Sequence, residues 1–206
     1  MSTLTTPDSE LVAVARGLLV GCASHVVDHC ERSYQFAALA AASSGEEIDD
    51  EVLYIGALLH DVGLAPVSTG DERFEVRGAN VARRALLEAG MERHRVETVW
   101  DIIALHASSP IAQHKSPETR LANRGIAIDV RGASVDDLPA EAVRAILDRW
   151  PRQDFPSRFA ATMIDEVKAH PGSVRWSWME SIAVQHVPGY RQAAFLDGLH
   201  ASVDFV

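Results

Sequence analysis

The chain has 206 residues, of which 47% are hydrophobic and 23% are charged, values that fit one globular domain. Its net charge of −10, from 29 acidic and 19 basic residues without a run of Lys or Arg, argues against nucleic acid as a partner. No segment approaches the roughly 20 apolar residues of a membrane span, and the N-terminus lacks the basic start of a signal peptide, so we expect a cytoplasmic protein without membrane contact.

Apolar residues recur at helical spacing along most of the chain, and alternating strand patterns are nearly absent. In chain order, the predicted helices span 9–42 with an interruption near Gly21, then 49–62, 77–90, 92–107, 117–130 and 139–150, with two or three more from residue 157 onward. We therefore predict an all-α fold, a compact single domain over residues 1–206.

The pair His60-Asp61 lies in the apolar segment EVLYIGALLHDVGL, which is typical of a helix buried on nearly every side. Burying an imidazole and a carboxylate is costly unless a partner compensates the charge, and a metal ion is one such partner. The dipeptide alone is common enough by chance that other residues have to support this interpretation.

Three more polar residues lie on apolar helix faces according to their spacing: His29, His106 and Asp129. Each alone would be read as a hydrogen-bonded core residue. Four helices that each send such a group inward instead predict a shared site, because imidazoles with carboxylates suit Zn²⁺, Fe²⁺ or Mn²⁺. The face opposite His29, which includes Glu31 and Gln35, is predicted to be wet.

Cys22 and Cys30 are the only cysteines, and they lie eight positions apart on one predicted helix. Helical rise separates them by about 12 Å, too far for a disulfide. We therefore expect two reduced, buried thiols.

The order His29, His60-Asp61, Asp129 resembles the signature of the HD superfamily of metal-dependent hydrolases, whose members are all-helical. Further blocks resemble the cyanamide hydratase-type branch, including a His-x-x-Arg-x-Tyr opening. These blocks are HCERSYQFA at 29–37, LYIGALLHDVGL at 53–64, RFEVRGANVARRALLEAG at 73–90, VWDIIALHAS at 99–108 and GIAIDVRG at 125–132. The resemblance covers about residues 25–155 and leaves the C-terminal helices as accessory elements of an HD-type bundle.

The resemblance implies one divalent metal ion, with zinc favoured and iron, manganese or nickel as alternatives. Its implied ligands are His29, His60, Asp61 and Asp129. We assign catalysis to Asp61, which would orient a water activated by the metal, and to His106 as general acid or base. The predicted substrate contacts are Arg32, His106, Phe74 and Glu75. The alternative for Arg32 is to orient a ligand carboxylate. Phe74 and Glu75 are expected at the pocket mouth, with Arg73 and Arg77 as surface pairs.

Two departures from the family pattern bear on which substrate we expect and on how many metal ions we expect to bind. Many phosphohydrolase members carry Lys where this chain has Leu64, and the loss of that cation favours a small, less charged substrate. Dinuclear members add two histidines in the interval that holds His106 and His114. Because His114 follows Pro110 in a polar loop, we expect it to be solvated and favour one metal.

The leading hypothesis is hydration or hydrolysis of a small nitrogenous substrate, such as a nitrile or cyanamide-like compound. The alternative is an HD-type phosphohydrolase that acts on a nucleotide or phosphate ester. A degenerate domain that binds a ligand without turnover and a di-iron oxygenase, which requires His114 to turn inward, are further options. The expected partner is a small-molecule substrate, and a homodimer stays open.

Overall fold

The computed structural model describes residues 5–196 and residue 199. Within them lie ten α-helices, two 3₁₀ turns and no strand, so the all-α prediction is confirmed. The helices are α1 Glu10–Leu18, α2 Ser24–Ser44, α3 Asp50–Leu59, α4 Phe74–Glu88, α5 Arg93–Leu105, α6 Ser109–Ala112, α7 Pro117–Arg131, α8 Ala140–Arg149, α9 Phe155–Ala169 and α10 Glu180–His186; the turns are Val62–Leu64 and Val135–Asp137. No helix in the described ranges is long and apolar enough to cross a membrane.

The chain divides into two compact units, one up to residue 159 and one from residue 160 on. In the first unit, α2 packs against α3 and α7, and α5 packs against α3, α4 and α7. In the second unit, the buried Glu180 carboxylate accepts hydrogen bonds from the Tyr190 hydroxyl (3.0 Å) and the Ala193 N–H (2.9 Å). The assignment of residues 1–206 to one domain stays a prediction.

Local sequence signals explain where the first helices begin and end. The predicted interruption near Gly21 is confirmed, because α1 ends at Leu18 and Gly21 has a φ of 83°, a conformation that favours glycine. Asp49 caps α3, with its Oδ1 accepting the Val52 N–H at 3.1 Å. Cys22 lies in the linker and is only half-buried, so the prediction that it shares a helix with the buried Cys30 is wrong.

Glycines allow two close approaches that bring the site together. A Cβ on Gly125 of α7 would lie 2.2 Å from the Ser33 carbonyl oxygen of α2, so these helices meet backbone to backbone. A Cβ on Gly63 would lie 1.9 Å from the Phe74 carbonyl oxygen, and the 3₁₀ turn after Asp61 therefore lies directly on the start of α4. That start comes three residues before the predicted one at residue 77.

The prediction of a wet face on α2 is wrong, because Glu31 and Gln35 are both buried. The Tyr54 hydroxyl donates to Glu31 Oε1 (3.2 Å), and Arg16 Nη2 lies 3.0 Å from the same oxygen. The physical reason is that α3 and α7 both pack against α2, so more than one of its faces is covered.

Candidate metal centre

Three of the predicted metal ligands lie together. His29 comes from the second turn of α2, while His60 is the C-cap of α3 and Asp61 follows it directly. Their candidate ligand atoms all lie within 4.8 Å of one another, and each side chain is 1% exposed. Because α3 ends at Leu59, the adjacent His60 and Asp61 side chains converge, with His60 Nε2 3.3 Å from Asp61 Oδ2.

The hydrogen bonds of the two imidazoles fix which nitrogens face the centre. His60 Nδ1 lies 2.7 Å from the Ala57 carbonyl oxygen, and His29 Nδ1 lies 2.6 Å from Asp129 Oδ2. These oxygens only accept hydrogen bonds, so we place a proton on each Nδ1 and assign each Nε2 to the centre. The two Nε2 atoms are 3.1 Å apart, a distance that is favourable when a proton or a metal ion lies between them.

The Asp61 carboxylate completes a donor set that fits a divalent metal ion. Its Oδ2 atom is buried and accepts no hydrogen bond from any residue that the structure describes. A buried carboxylate oxygen without a donor is costly unless a cation neutralises it. Two imidazole nitrogens and one carboxylate oxygen form a ligand set used by Zn²⁺, Fe²⁺ and Mn²⁺.

The pKa values of these groups follow from burial and from the charges that they exert on one another. Burial alone would lower the pKa of His60, but the Asp61 carboxylate beside it raises that pKa well above its ordinary value. Burial would raise the pKa of Asp61, yet His60, His106 and His29 hold it below its ordinary value. Burial lowers the pKa of His29, even though its hydrogen bond to Asp129 acts in the opposite direction.

His106 lies beside this cluster, as its predicted inward face requires. It is the C-cap of α5, its Nδ1 lies 2.7 Å from the Ile103 carbonyl oxygen, and its Nε2 lies 3.6 Å from Asp61 Oδ1. Burial lowers its pKa, and the His60 charge acts in the same direction. At 8% exposure it is the most accessible of the polar side chains at the centre. Its catalytic role stays a prediction.

Asp129 lies outside the three-residue cluster, on the other side of the His29 ring. Arg32 donates to both of its oxygens, from Nε to Oδ1 at 2.8 Å and from Nη2 to Oδ2 at 2.9 Å. Both side chains are buried. The metal-ligand role of Asp129 and the substrate contact of Arg32 stay predictions.

Phe74 and Glu75 lie near His106 but are fully buried rather than at a pocket mouth. The Phe74 ring centroid is 5.6 Å from that of His106, and Glu75 pairs with Arg73. Arg77 is also buried and donates to the Gly63 carbonyl oxygen (3.0 Å), so its prediction as a surface residue is wrong. The reason is the close contact of Gly63 with α4, which covers this side of the helix. Substrate contacts by Phe74 and Glu75 stay predictions.

His114 is exposed, as predicted from its polar loop. Its Nε2 atom lies 3.4 Å from the side-chain nitrogen of the neighbouring Gln113. It is not part of the three-residue cluster.

Residues 150–159 form a wall beside His29 that the sequence did not predict. The ring centroids of Phe155 and Phe159 lie 5.0 and 5.4 Å from that of His29. Arg152 donates to the Asp129 backbone carbonyl, and its guanidinium lies 5.3 Å from the Phe155 ring centroid. The available signal was the spacing of the two phenylalanines by four residues, which puts them on one helix face.

Comparison with known proteins supports the same interpretation. The sequence model of the HD domain matches residues 26–149, more than half of the chain, and this range includes His29, His60, Asp61 and Asp129. A search among curated proteins gave no significant match. HD domains are typically metal-dependent hydrolases, and the cluster of His29, His60 and Asp61 fits a divalent metal site. This chain therefore belongs to the HD domain family.

Proposed function

We propose that this chain adds water to a small, uncharged nitrogenous substrate, a nitrile or a cyanamide-like compound, at a divalent metal held by His29, His60 and Asp61. The observation that carries the proposal is the burial of the centre. The three ligands are each 1% exposed and His106 is 8% exposed. A substrate of a few atoms fits such an enclosed place, whereas a nucleotide needs a wider opening.

The charges around the centre also favour an uncharged substrate. Leu64 stands where a lysine would offer a phosphate partner. Arg32 is bound to Asp129, Arg73 to Glu75 and Arg77 to backbone carbonyl oxygens. The buried guanidinium groups of Arg32 and Arg77 therefore hold the fold together around the centre and are not presented to a phosphate.

Proton transfer is the task that we assign to His106. A bound divalent metal would supply Lewis acidity at this place, which acidifies water and makes a nitrile carbon more electrophilic. Adding water to a nitrile forms one C–O bond and moves one proton from the water to the substrate nitrogen. His106 Nε2 can accept that proton and return it, because burial keeps its pKa low and the ring neutral.

The direct test is urea formation from cyanamide by protein loaded with zinc, iron, manganese or nickel. We expect turnover by the wild-type protein and none by Asp61→Ala, in which the carboxylate ligand is gone. Asp137→Asn is a control with the same loss of one negative charge at an exposed position. The proposal is overturned if wild-type protein with bound metal converts neither cyanamide nor small nitriles and amides.

A phosphohydrolase is the second candidate, and Arg152 is the observation that favours it. Its side chain is 31% exposed, and its Nη1 atom lies 3.5 Å from Asp129 Oδ1, close to the centre. A partly exposed guanidinium can bind a phosphate group. Phosphate release from a panel of nucleotides and phosphate esters, lost in Arg152→Gln, would favour this candidate over the first.

A further inference from the structure

We propose that the second unit holds a binding site for a small phosphorylated molecule, in a pocket formed at its two Pro-Gly turns. The pocket has a volume of about 410 Å³, within the range of small-molecule sites. It is lined by Pro171, Gly172, Arg175, Gly189, Tyr190 and Arg191. None of these residues belongs to the three-residue metal cluster or to the matched range 26–149, so the site is independent of the proposed function.

The first argument is the charge of the pocket. Arg175 and Arg191 are both exposed, and within the described residues neither guanidinium forms a hydrogen bond or an ion pair. Two guanidinium groups that line one pocket repel each other, and an anion bound between them removes that repulsion. A guanidinium is a planar fork of N–H donors that matches the oxygens of a phosphate, and two of them balance its two negative charges.

The second argument is that the two walls of the pocket are joined by the protein itself. The buried Glu180 carboxylate accepts the Trp176 N–H at 3.2 Å and the Tyr190 hydroxyl at 3.0 Å. It thereby links the segment that carries Arg175 to the segment that carries Arg191. A preformed site loses less conformational entropy on binding than one that has to be ordered first.

Glu180 also places one negative charge near the pocket, but this charge does not balance both arginines. Its oxygens accept hydrogen bonds from Trp176, Tyr190 and Ala193 and are thus directed at the protein. The hydrogen bond from the Ala193 N–H, above all, lowers the pKa of Glu180, and the charge of Arg175 acts in the same direction. One carboxylate against two exposed guanidinium groups leaves the pocket positive, in a chain whose net charge is −10.

The third argument concerns the uncharged part of the bound molecule. The Tyr190 hydroxyl is bound to Glu180, so Tyr190 offers its ring to the pocket and not its hydroxyl. Pro171 adds a second apolar surface to the lining. Because a phosphate ion alone is much smaller than the pocket, we expect the phosphate to carry an organic group that lies against these two side chains.

The test is an NMR titration of the whole chain with phenylphosphonate, a phosphate analogue whose C–P bond resists hydrolysis. At about pH 8, where such groups are dianionic, we expect one molecule to bind per chain with a Kd below about 1 mM. Inorganic phosphate lacks the organic group and benzoate has a single negative charge, so both should bind more weakly. The absence of saturable binding, or equally tight binding of either control compound, would overturn the proposal.

Variants that remove one charge each locate the site. Arg175→Gln and Arg191→Gln should each weaken phenylphosphonate binding by about 10-fold or more, because each loses a charge-assisted hydrogen bond. Both side chains are exposed, so the thermal unfolding of these variants should match that of the wild type. Arg84→Gln is the matched control, since it removes one positive charge at an exposed position of α4 and should bind as the wild type does. An equal loss in this control, or no loss in the other two variants, would contradict the proposal.

EDTA treatment distinguishes this pocket from the metal centre. A metal ion bound at the centre can also hold a phosphonate, and the chelator would abolish that binding. We expect the binding that depends on Arg175 and Arg191 to persist unchanged, because the pocket offers guanidinium groups and needs no metal. Loss of all binding with EDTA would refute the proposal and assign the anion to the metal centre. Failure of cyanamide turnover would overturn the proposed function and leave this site unaffected.

Discussion

The pKa values of His106 and His60 shift in opposite directions, although each ring forms a hydrogen bond to a carbonyl oxygen through Nδ1. Asp61 raises the pKa of His60, whereas burial and the His60 charge lower the pKa of His106. The Asp61 carboxylate thus favours positive charge on His60, whereas burial favours the neutral form of His106. A neutral imidazole is the form that a general base requires.

The variant His106→Gln tests this division of tasks. We expect it to keep one metal per chain, because His106 is outside the three-residue cluster. Turnover of the substrate should fall by about 10²–10⁴-fold, the usual contribution of a general acid or base. Metal content from elemental analysis, compared with the rate at saturating metal, measures both effects. Loss of the metal together with activity would instead make His106 a ligand.

For single residues, helical spacing predicted which polar side chains near the centre face inward, but not which of their atoms do so. The inward direction of His29, His60, His106 and Asp129 follows from helical periodicity, and all four are buried. Periodicity does not determine which ring nitrogen faces the centre, since that depends on neighbours from other helices. The contact of Asp129 with His29 joins positions 100 residues apart, and spacing within one helix carries no information about it.

Among the helices, the contact of α2 with α7 determines the distance between His29 and Asp129. Gly125 lies one turn before Asp129, and the Ser33 carbonyl that it approaches lies one turn after His29. A side chain at position 125 has to push the two backbones apart, because the nearest atoms are backbone and not the end of a flexible side chain.

Gly125→Ala should therefore weaken both stability and metal binding. We expect the free energy of unfolding to fall by about 1–3 kcal/mol, as for other overpacked core positions. Thermal unfolding and Co²⁺ titration measure the two effects. Gly17→Ala is the matched control, since it lies in α1 with nothing within 4 Å of the added Cβ, and it should raise stability by up to about 1 kcal/mol. Equal behaviour of both variants would contradict this account.

At the scale of the whole molecule, a charge network joins elements that are distant in sequence. Arg95 of α5 donates to Asp49 and to Glu51 at the start of α3, and Glu51 also accepts from Ser9 before α1. The Asp49 N–H donates to Glu118 Oε1 of α7 at 3.0 Å. Hydrogen bonds from Ser9 and Arg95 lower the pKa of Glu51. Partial burial acts to raise the pKa of Asp49, but its interactions, above all the hydrogen bond from Arg95, lower it overall.

The network predicts a pH dependence of stability that Arg95→Gln should reduce. A carboxyl whose pKa is lowered by folding stabilises the protein above its unfolded pKa of about 4, and that stability is lost as the pH falls through the folded pKa. We expect Arg95→Gln to cost about 1 kcal/mol at pH 7, since these groups are partly exposed and screened, and almost nothing near pH 2. Denaturant unfolding across this pH range is the measurement. A constant difference would contradict the assignment.

The sequence predicts the fold best where apolar residues recur regularly. The resemblance over about residues 25–155 and the matched range 26–149 nearly coincide. The run at 151–155 has the pattern of a loop that enters a helix, because its proline and charged residues hide Phe155, which contacts His29. The charge of Arg77 likewise predicts a position at the surface, but the close approach of Gly63 to α4 covers its side chain.

The helices α3 and α5 both end at the candidate metal centre. His60 and His106 are the C-caps of these helices, and each ring bonds a carbonyl oxygen of its own last turn. The C-terminus of a helix carries a partial negative charge from its aligned peptide dipoles. Two such termini therefore meet at the centre, so that the backbone itself favours a cation there, and each histidine takes its orientation from the helix that ends with it.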